Sequence, residues 1–436
     1  MTRAHLPWTA AQVLPWRAGL AYGLLGLPLA FAALPLYVVL PHYYASDLGL
    51  SLVTVGALLM LVRLMDAGAE PMLGRLSDWL YRRTAQAVLW VAGAAALLLA
   101  LGLAGLFFPR VQGQAALAVW MVAGLLFTCL AHSLLVIAHQ AWGVRLGGDA
   151  LQRSRIVAWR EGAGLLGVVT ASALSVAWGA GNMLAVFALA LLAGWLALWR
   201  APRPPVAAAL RDRGQQPSLA LRQPLAEAQF RRLLTVFLCN GIASAIPAAL
   251  MLFFAQDRLL ATQPQIALFL VLYFVSGALS MPAWLRVVRR FGLERAWLAG
   301  MLLAVAGFGW AAGLEGGQVA FGVICVLSGM ALGADLAVPG ALLALLIERH
   351  GAQGVHDGAY LGWWNLATKL NLALAAGATL PLLQWLGYTP GSQDFYALQH
   401  LAWVYALLPC ALKLVAASLL HWLLIDSPDH PPGVTP

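Results

Sequence analysis

Charge is what this 436-residue chain has least of: Asp, Glu, Lys and Arg together make up 10% of it. An ordinary globular chain carries roughly 25%. With so few charges a soluble protein of this length could not cover its surface, which excludes a soluble globular protein, a disordered chain and a nucleic-acid binder. Lysine is scarcer still, present only as Lys369 and Lys413. The four cysteines, Cys129, Cys239, Cys325 and Cys410, all sit in apolar segments without CxxC spacing. They read as small packing residues, with neither disulfides nor a metal site expected. The start, MTRAHLPWTAAQVLPWR, lacks a compact apolar core followed by a small-residue cleavage site, so no cleavable leader is expected.

What is present is apolar: 62% of the residues. A membrane-crossing helix needs about 20 apolar residues. Runs of that length fall near 17–43, 49–72, 85–108, 114–144, 155–179 and 182–200, then near 233–256, 264–288, 292–314, 317–348, 357–386 and 399–425. The expectation is an all-α membrane protein with 12 transmembrane helices in a 6+6 arrangement. It comprises a six-helix bundle over 1–200, a polar middle loop over 201–232, and a second bundle over 233–436 ending in a short disordered tail. The net charge of +9 follows from arginines between the runs. Arg75, Arg82 and Arg83, Arg145, Arg153 and Arg155, Arg200 and Arg203, and Arg286, Arg289 and Arg290 fall after alternate runs, which predicts cytoplasmic termini and a cytoplasmic middle loop. Tryptophans near run ends, such as Trp8, Trp16, Trp178, Trp385 and Trp422, suit interfacial anchors. GRLSDWLYRR after the second run and PAWLRVVRRFG after the eighth occupy equivalent places, as two parallel repeats would. A 6+6 chain with an Arg- and Pro-rich middle loop has the organisation of the major facilitator superfamily.

Ionised groups inside a bilayer cost at least about 2.5 kcal/mol each, so those retained face a cavity and have partners. The second run reads LVRLMDAGAEPMLGRLSD, with Arg63, Asp66 and Glu70 on one helical face. Two acids one turn apart need a cation, a proton or an arginine between them. The functional reading is a coupling-cation site; the structural one is a static pair with Arg63. Ala67, Gly68 and Ala69 would let a neighbouring helix approach closely. The fourth run supplies His132, Ser133, His139 and Trp142, with substrate contact and hydrogen-bonded packing both open for the histidines. Arg160, at the start of the apolar part of the fifth run, could pair with the acids, hold an anionic substrate group or close a gate, whereas Arg153 and Arg155 fall in the preceding basic loop. Arg63, Arg75 and Asp78 are the gating candidates. The tenth run holds Asp335 and the eleventh holds Trp363, Trp364, Asn365 and Lys369, with Lys369 expected to neutralise Asp335.

At these residues the chain resembles the glycoside–pentoside–hexuronide:cation symporter family, the melibiose-carrier-like branch of the superfamily. RLMDAGAEPMLGRLSD and YLGWWNLATKL carry the most specific part of the likeness, with RSRIVAWREGAGLLG and SGMALGADLAVPGALLALL adding to it. The resemblance implies that the family's two cation-binding acids fall on Asp66 and Glu70, its hydroxyl on Ser133, its helix 5 arginine on Arg160 and its helix 11 lysine on Lys369. The chain departs from the pattern where Glu70 replaces an Asp, leaving sodium and proton open. The acids that sugar-carrying members use fall on Ala30 and near Val136, and an aromatic near Leu336 is missing. Those losses argue against a simple sugar, and the same acid pair, arginine and lysine also occur in the family's lysolipid symporters.

The expected function is secondary active transport: Na+- or H+-coupled symport of a small organic solute, amphipathic or anionic in preference to sugar. Cation-binding residues would be Asp66, Glu70 and Ser133. Substrate-binding residues would be Arg160, Lys369, His132, Trp142, Asp335, Trp363 and Asn365. No cofactor is expected beyond the coupling ion, and no metal beyond Na+ at the two acids. The lipid bilayer and the small-molecule substrate are the expected partners, with no nucleic acid. The expected setting is a monomer in a bacterial inner membrane. A proton-coupled exporter of the same fold is the alternative within the class; a non-transporting receptor or assembly factor is the alternative outside it. An enzyme is not expected, because the histidines have no nucleophile or metal constellation.

Overall fold

The computed structural model describes residues 14–33, 35–177, 179–204, 222–314, 316–352 and 355–426. Trp8, Trp178, most of the middle loop and the tail after Asp426 lie outside the described residues. Within them all regular structure is helical, and every expected apolar run coincides with helix. The first is broken into α1 (Trp16–Gly23), α2 (Gly26–Phe31) and α3 (Leu40–His42), with π-turns at Pro35–Val39 and Tyr43–Asp47. Then come α4 (Leu52–Tyr81), α5 (Ala85–Phe107), α6 (Gln114–Leu146), α7 (Ala150–Ala177) and α8 (Gly179–Arg200). After the short α9 (Gln223–Ala226) follow α10 (Ala228–Phe253), α11 (Gln263–Phe291), α12 (Leu293–Phe308), α13 (Gln318–Ala337), α14 (Pro339–Arg349), α15 (Asp357–Trp385) and α16 (Phe395–Leu420).

Local chemistry sets the helix starts. Ser51 accepts a hydrogen bond from the Thr54 amide at 3.1 Å, Thr84 from Ala87 at 3.0 Å and Asp394 from Ala397 at 2.8 Å, each satisfying an otherwise orphaned first-turn donor. Among the described residues nine helical stretches are long and apolar enough to cross a membrane. The first run falls outside that set because it is broken, and α4 and α7 because they carry the ionisable residues. Large apolar side chains such as Met60, Leu64, Leu97, Leu101 and Leu189 are exposed, as expected of faces meeting lipid.

Two helix ends differ from expectation. GRLSDWLYRR is not a loop: α4 runs on through it to Tyr81. Arg153 and Arg155 belong to α7, not to the basic loop before it, and Arg153 is 2% exposed with its Nη2 2.6 Å from Glu348 Oε2. Both extensions lie beyond the apolar runs because a helix does not end where hydrophobicity does: Arg, Leu and Ala are good helix formers.

The chain forms two compact units. The first comprises Met1–Pro224 with Ile347–Leu366, the second Leu225–Leu346 with Ala367–Pro436. The division differs from one between 1–200 and 233–436: α15 begins in the first unit and continues in the second. The second unit's core centres on Phe254, stacked on Tyr405 with ring centroids 4.1 Å apart and flanked by Phe321 and Phe269. There α11 and α13 touch backbone to backbone: a Cβ on Gly329 would lie 2.3 Å from the Tyr273 carbonyl oxygen, so only glycine fits.

Candidate functional site

In the first unit, Ser133 Oγ on α6 donates to Asp66 Oδ1 on α4 at 3.0 Å. Ser133, Asp66 and Glu70 are 2%, 3% and 1% exposed, which puts one hydroxyl and two carboxylates out of solvent within a single helix pair. Arg63 differs from the pair with which its spacing groups it: it is exposed. The expected close approach at Gly68 is also absent, since a Cβ there would meet nothing within 4 Å.

The approach lies one turn and a half further on. A Cβ on Gly74 would sit 2.0 Å from the Gly358 carbonyl oxygen, and one on Gly362 2.6 Å from the Glu70 carbonyl oxygen. This glycine seam brings the start of α15 onto α4. Asp78, at the end of the seam, accepts the amides of Gly358 at 2.7 Å and Ala359 at 3.0 Å, a carboxylate on a helix N-terminus. Arg145, from the last turn of α6, lies between two acids: Nη2 is 3.4 Å from Asp78 Oδ1 and Nε is 2.7 Å from Asp357 Oδ2. Its guanidinium also lies over the Tyr81 ring, 4.1 Å from the centroid. Arg145, Asp78 and Asp357 are all buried. Of these, Asp78 was identifiable from GRLSD. Arg145 looked like one more topology-setting arginine and Asp357 like the first residue of a run.

Half-buried Arg75 lies on the same stretch, and with Arg82 it faces His356 in the loop before α15. Burial, and then these two arginines, lower the His356 pKa from its ordinary value near 6.5. A depressed pKa means the neutral ring stabilises the fold above about pH 6.5 and that this contribution is lost as pH falls. Acidification from pH 7 to 5 is therefore expected to lower the melting temperature of the wild type more than that of His356→Gln. Parallel pH profiles for the two would refute it.

Several of the expected substrate-binding residues have partners within the first unit. His132 Nε2 hydrogen-bonds the Leu29 carbonyl at 3.0 Å and His139 Nε2 that of Tyr22 at 2.8 Å, tying α6 to the first helices. Trp142 is 0% exposed and donates to the Pro202 carbonyl at 2.9 Å. Arg160 pairs with its neighbour Glu161, Nη2 to Oε1 at 2.6 Å, and not with the α4 acids. On α15, Trp364 and Asn365 are buried, and Trp363 and Lys369 half-buried.

The second unit corrects one pairing outright. Asp335 on α13 is held by Lys413 on α16, Nζ to Oδ2 at 2.8 Å, not by Lys369. Asn240 donates to Asp335 Oδ1 at 3.1 Å, Trp297 to the same oxygen at 3.0 Å, and Ser244 to Oδ2 at 3.3 Å. Lys413 also donates to Asn240 Oδ1 at 2.8 Å. The signal in the sequence was available: two lysines in apolar runs offer two possible partners for Asp335, and only the tertiary packing selects between them. The cluster borders a cavity of about 260 Å³ walled by aromatic and aliphatic side chains of α10 to α13 and α16.

Comparison with known proteins places this architecture. The family described as MFS/sugar transport protein matches residues 19–427. No curated protein sequence matches the chain. Among solved structures, a bacterial homologue of the iron transporter ferroportin, outward-facing, is similar with a TM-score of 0.68 at 15% identity over 92% of this chain and 98% of that one. The Escherichia coli fucose:proton symporter is similar with a TM-score of 0.64 at 15% identity, over 94% and 99%. The human organic anion transporter MFSD10 is similar with a TM-score of 0.61 at 19% identity, over 92% and 99%. At these identities the likeness is one of fold. The chain belongs to the MFS/sugar transport protein family and is a multi-pass membrane transporter of the major facilitator superfamily, not an enzyme.

Proposed function

We propose that the protein is a cation-coupled symporter in which Na+ or H+ binds at Asp66, Glu70 and Ser133. The observation that carries the reading is the Ser133–Asp66 hydrogen bond beside a second buried acid, because a hydroxyl and two carboxylates withdrawn from water form an oxygen-donor set for a cation or a proton. The Gly74–Gly358 seam begins one turn beyond Glu70, so occupancy of the acids and packing of α15 on α4 act on one helix segment. Asp78 and Arg75 at its end are the gating residues. The substrate is a small organic solute, amphipathic or anionic in preference to a sugar, with Lys369, Trp363 and Asn365 of α15 contributing cationic and aromatic contacts. The arginine asymmetry supports a bacterial inner membrane with both termini cytoplasmic, and the protein acts as a monomer.

Thermal unfolding of the purified protein in sodium, in lithium and across pH tests this reading. A ligand that binds only the folded state raises its stability by RT ln(1 + [L]/Kd). Sodium is expected to raise the melting temperature of the wild type and not of Asp66→Asn or Glu70→Gln. A shift with pH alone, lost in both variants, would assign the site to protons. It would also favour a second reading, proton-coupled export, for which the Asp335–Lys413 ion pair within the second unit is a further candidate element. Indifference to both ions in the wild type would sink cation coupling at these acids.

A further inference from the structure

We propose that the cavity inside the second unit is a binding site for a neutral, largely aromatic or alkyl molecule that presents a hydrogen-bond-accepting oxygen to Lys413. The wall is apolar over most of its extent, with Phe269, Phe308, Phe321 and Tyr405 among its side chains, and its volume of about 260 Å³ lies just under the usual range for small-molecule sites. Its polar groups are few, among them Ser244, Tyr273, Ser328, Asp335 and Lys413, and a few placed polar groups fix orientation in such sites.

Two of those groups have donor capacity to spare. An ammonium carries three N–H donors, and among the described residues Lys413 directs two of them, to Asp335 and to Asn240. Ser328 lines the cavity with its Oγ buried and without a hydrogen bond among the described residues. Many other helical hydroxyls are satisfied locally, although Ser77 Oγ on α4 is buried in the same way. Thr128, Ser154, Thr170, Thr235, Thr379 and Ser418 all bond back to the carbonyl four residues earlier. A buried donor left unmade is costly, so a ligand oxygen that accepts from it gains more than the bond alone.

The charge balance selects a neutral ligand. Asp335 and Lys413 cancel, and the Asp335 carboxylate already accepts from Lys413, Asn240, Trp297 and Ser244. An anion would place a second negative charge beside Asp335, and a cation a second positive one beside Lys413, each in surroundings that screen poorly. A carbonyl or ether oxygen takes the spare Lys413 donor and disturbs neither charge. The site lies wholly in the second unit and does not depend on which ion couples transport.

A matched series on one phenylalkyl body tests the inference: 4-phenyl-2-butanone, propylbenzene, 3-phenylpropanoate and 3-phenylpropylamine, each titrated against the melting temperature of the purified full-length protein. The ketone is expected to raise the melting temperature in a dose-dependent way, propylbenzene to do so only weakly, and the two charged compounds not at all. Ser328→Phe, which fills the cavity, should abolish the ketone shift. The double variant Asp335→Asn with Lys413→Met, which removes the donor while keeping the site neutral, should weaken ketone binding by about tenfold or more. A charged probe that matches the ketone, a ketone shift unchanged in Ser328→Phe, or no ketone response in the wild type would each overturn the assignment. Sodium response at Asp66 and Glu70 is read separately, so failure here leaves the coupling-site reading standing.

Discussion

Replacing Arg145 by methionine is expected to destabilise the protein by about 3–5 kcal/mol, the usual consequence of leaving buried charge without its partner. Arg145 sits between Asp78 and Asp357, and the three side chains are 2%, 2% and 0% exposed. Methionine preserves much of the length and the apolar contact with Tyr81, so the loss isolates charge. Without the guanidinium, two carboxylates share one buried site. Asp78 still accepts two backbone amides, but Asp357 loses the cation 2.7 Å away. Adding Asp357→Asn to the same chain removes the excess negative charge and is expected to recover most of the stability. Thermal or denaturant unfolding of the wild type, the single and the double variant checks this. If Arg145→Met unfolds like the wild type, or if Asp357→Asn fails to rescue it, the three residues do not act as a charge-coupled unit.

Gly74→Val is expected to abolish transport while leaving a folded protein. The smallest possible side chain at this position would place a carbon 2.0 Å from the Gly358 carbonyl oxygen, and backbone cannot move aside as a flexible side chain can. The start of α15 must then withdraw from α4, carrying the Gly358 and Ala359 amides away from Asp78. Overpacking of this kind costs typically about 1–3 kcal/mol, less than loss of the Arg145 charge. The functional loss is expected to be larger than the loss of stability, because a seam that cannot close removes one of the states that alternating access requires. Uptake into proteoliposomes of a substrate found in a screen, with the cooperative thermal unfolding transition as the measure of folding, separates the two effects. Gly74→Ala should fall between wild type and Gly74→Val. Folded Gly74→Val that transports at the wild-type rate would remove the seam from the transport cycle.

The membrane class, the helical spans and the positions of the buried acids were legible in the sequence, because each rests on local chemistry. A run of about 20 apolar residues needs no tertiary context to be read as a span, and a carboxylate inside one stands out against it. Asp66, Glu70 and Asp335 were therefore found without a structure, and Ser133 was placed beside Asp66 by resemblance to a family. The expected ends of α4 and α7 were wrong for the same local reason: the apolar runs stop short of Asp78 and Arg153, and their partners, on α6 and α15 for Asp78 and at Glu348 for Arg153, lie far away in the sequence.

Composition and hydropathy by themselves determined that this chain lives in a bilayer as a bundle of helices and that a few ionisable groups stay inside it. Which of those groups meet was decided only by tertiary structure. Lys413 and not Lys369 neutralises Asp335, Arg145 serves a pair of buried acids while Arg160 pairs with its neighbour Glu161, and Gly74 and not Gly68 admits another helix. The physical reason is common to all three. Helical spacing says which residues share a face, but an ion pair or a glycine contact depends on which second helix that face meets and at what depth, and that is settled by the packing of the whole unit.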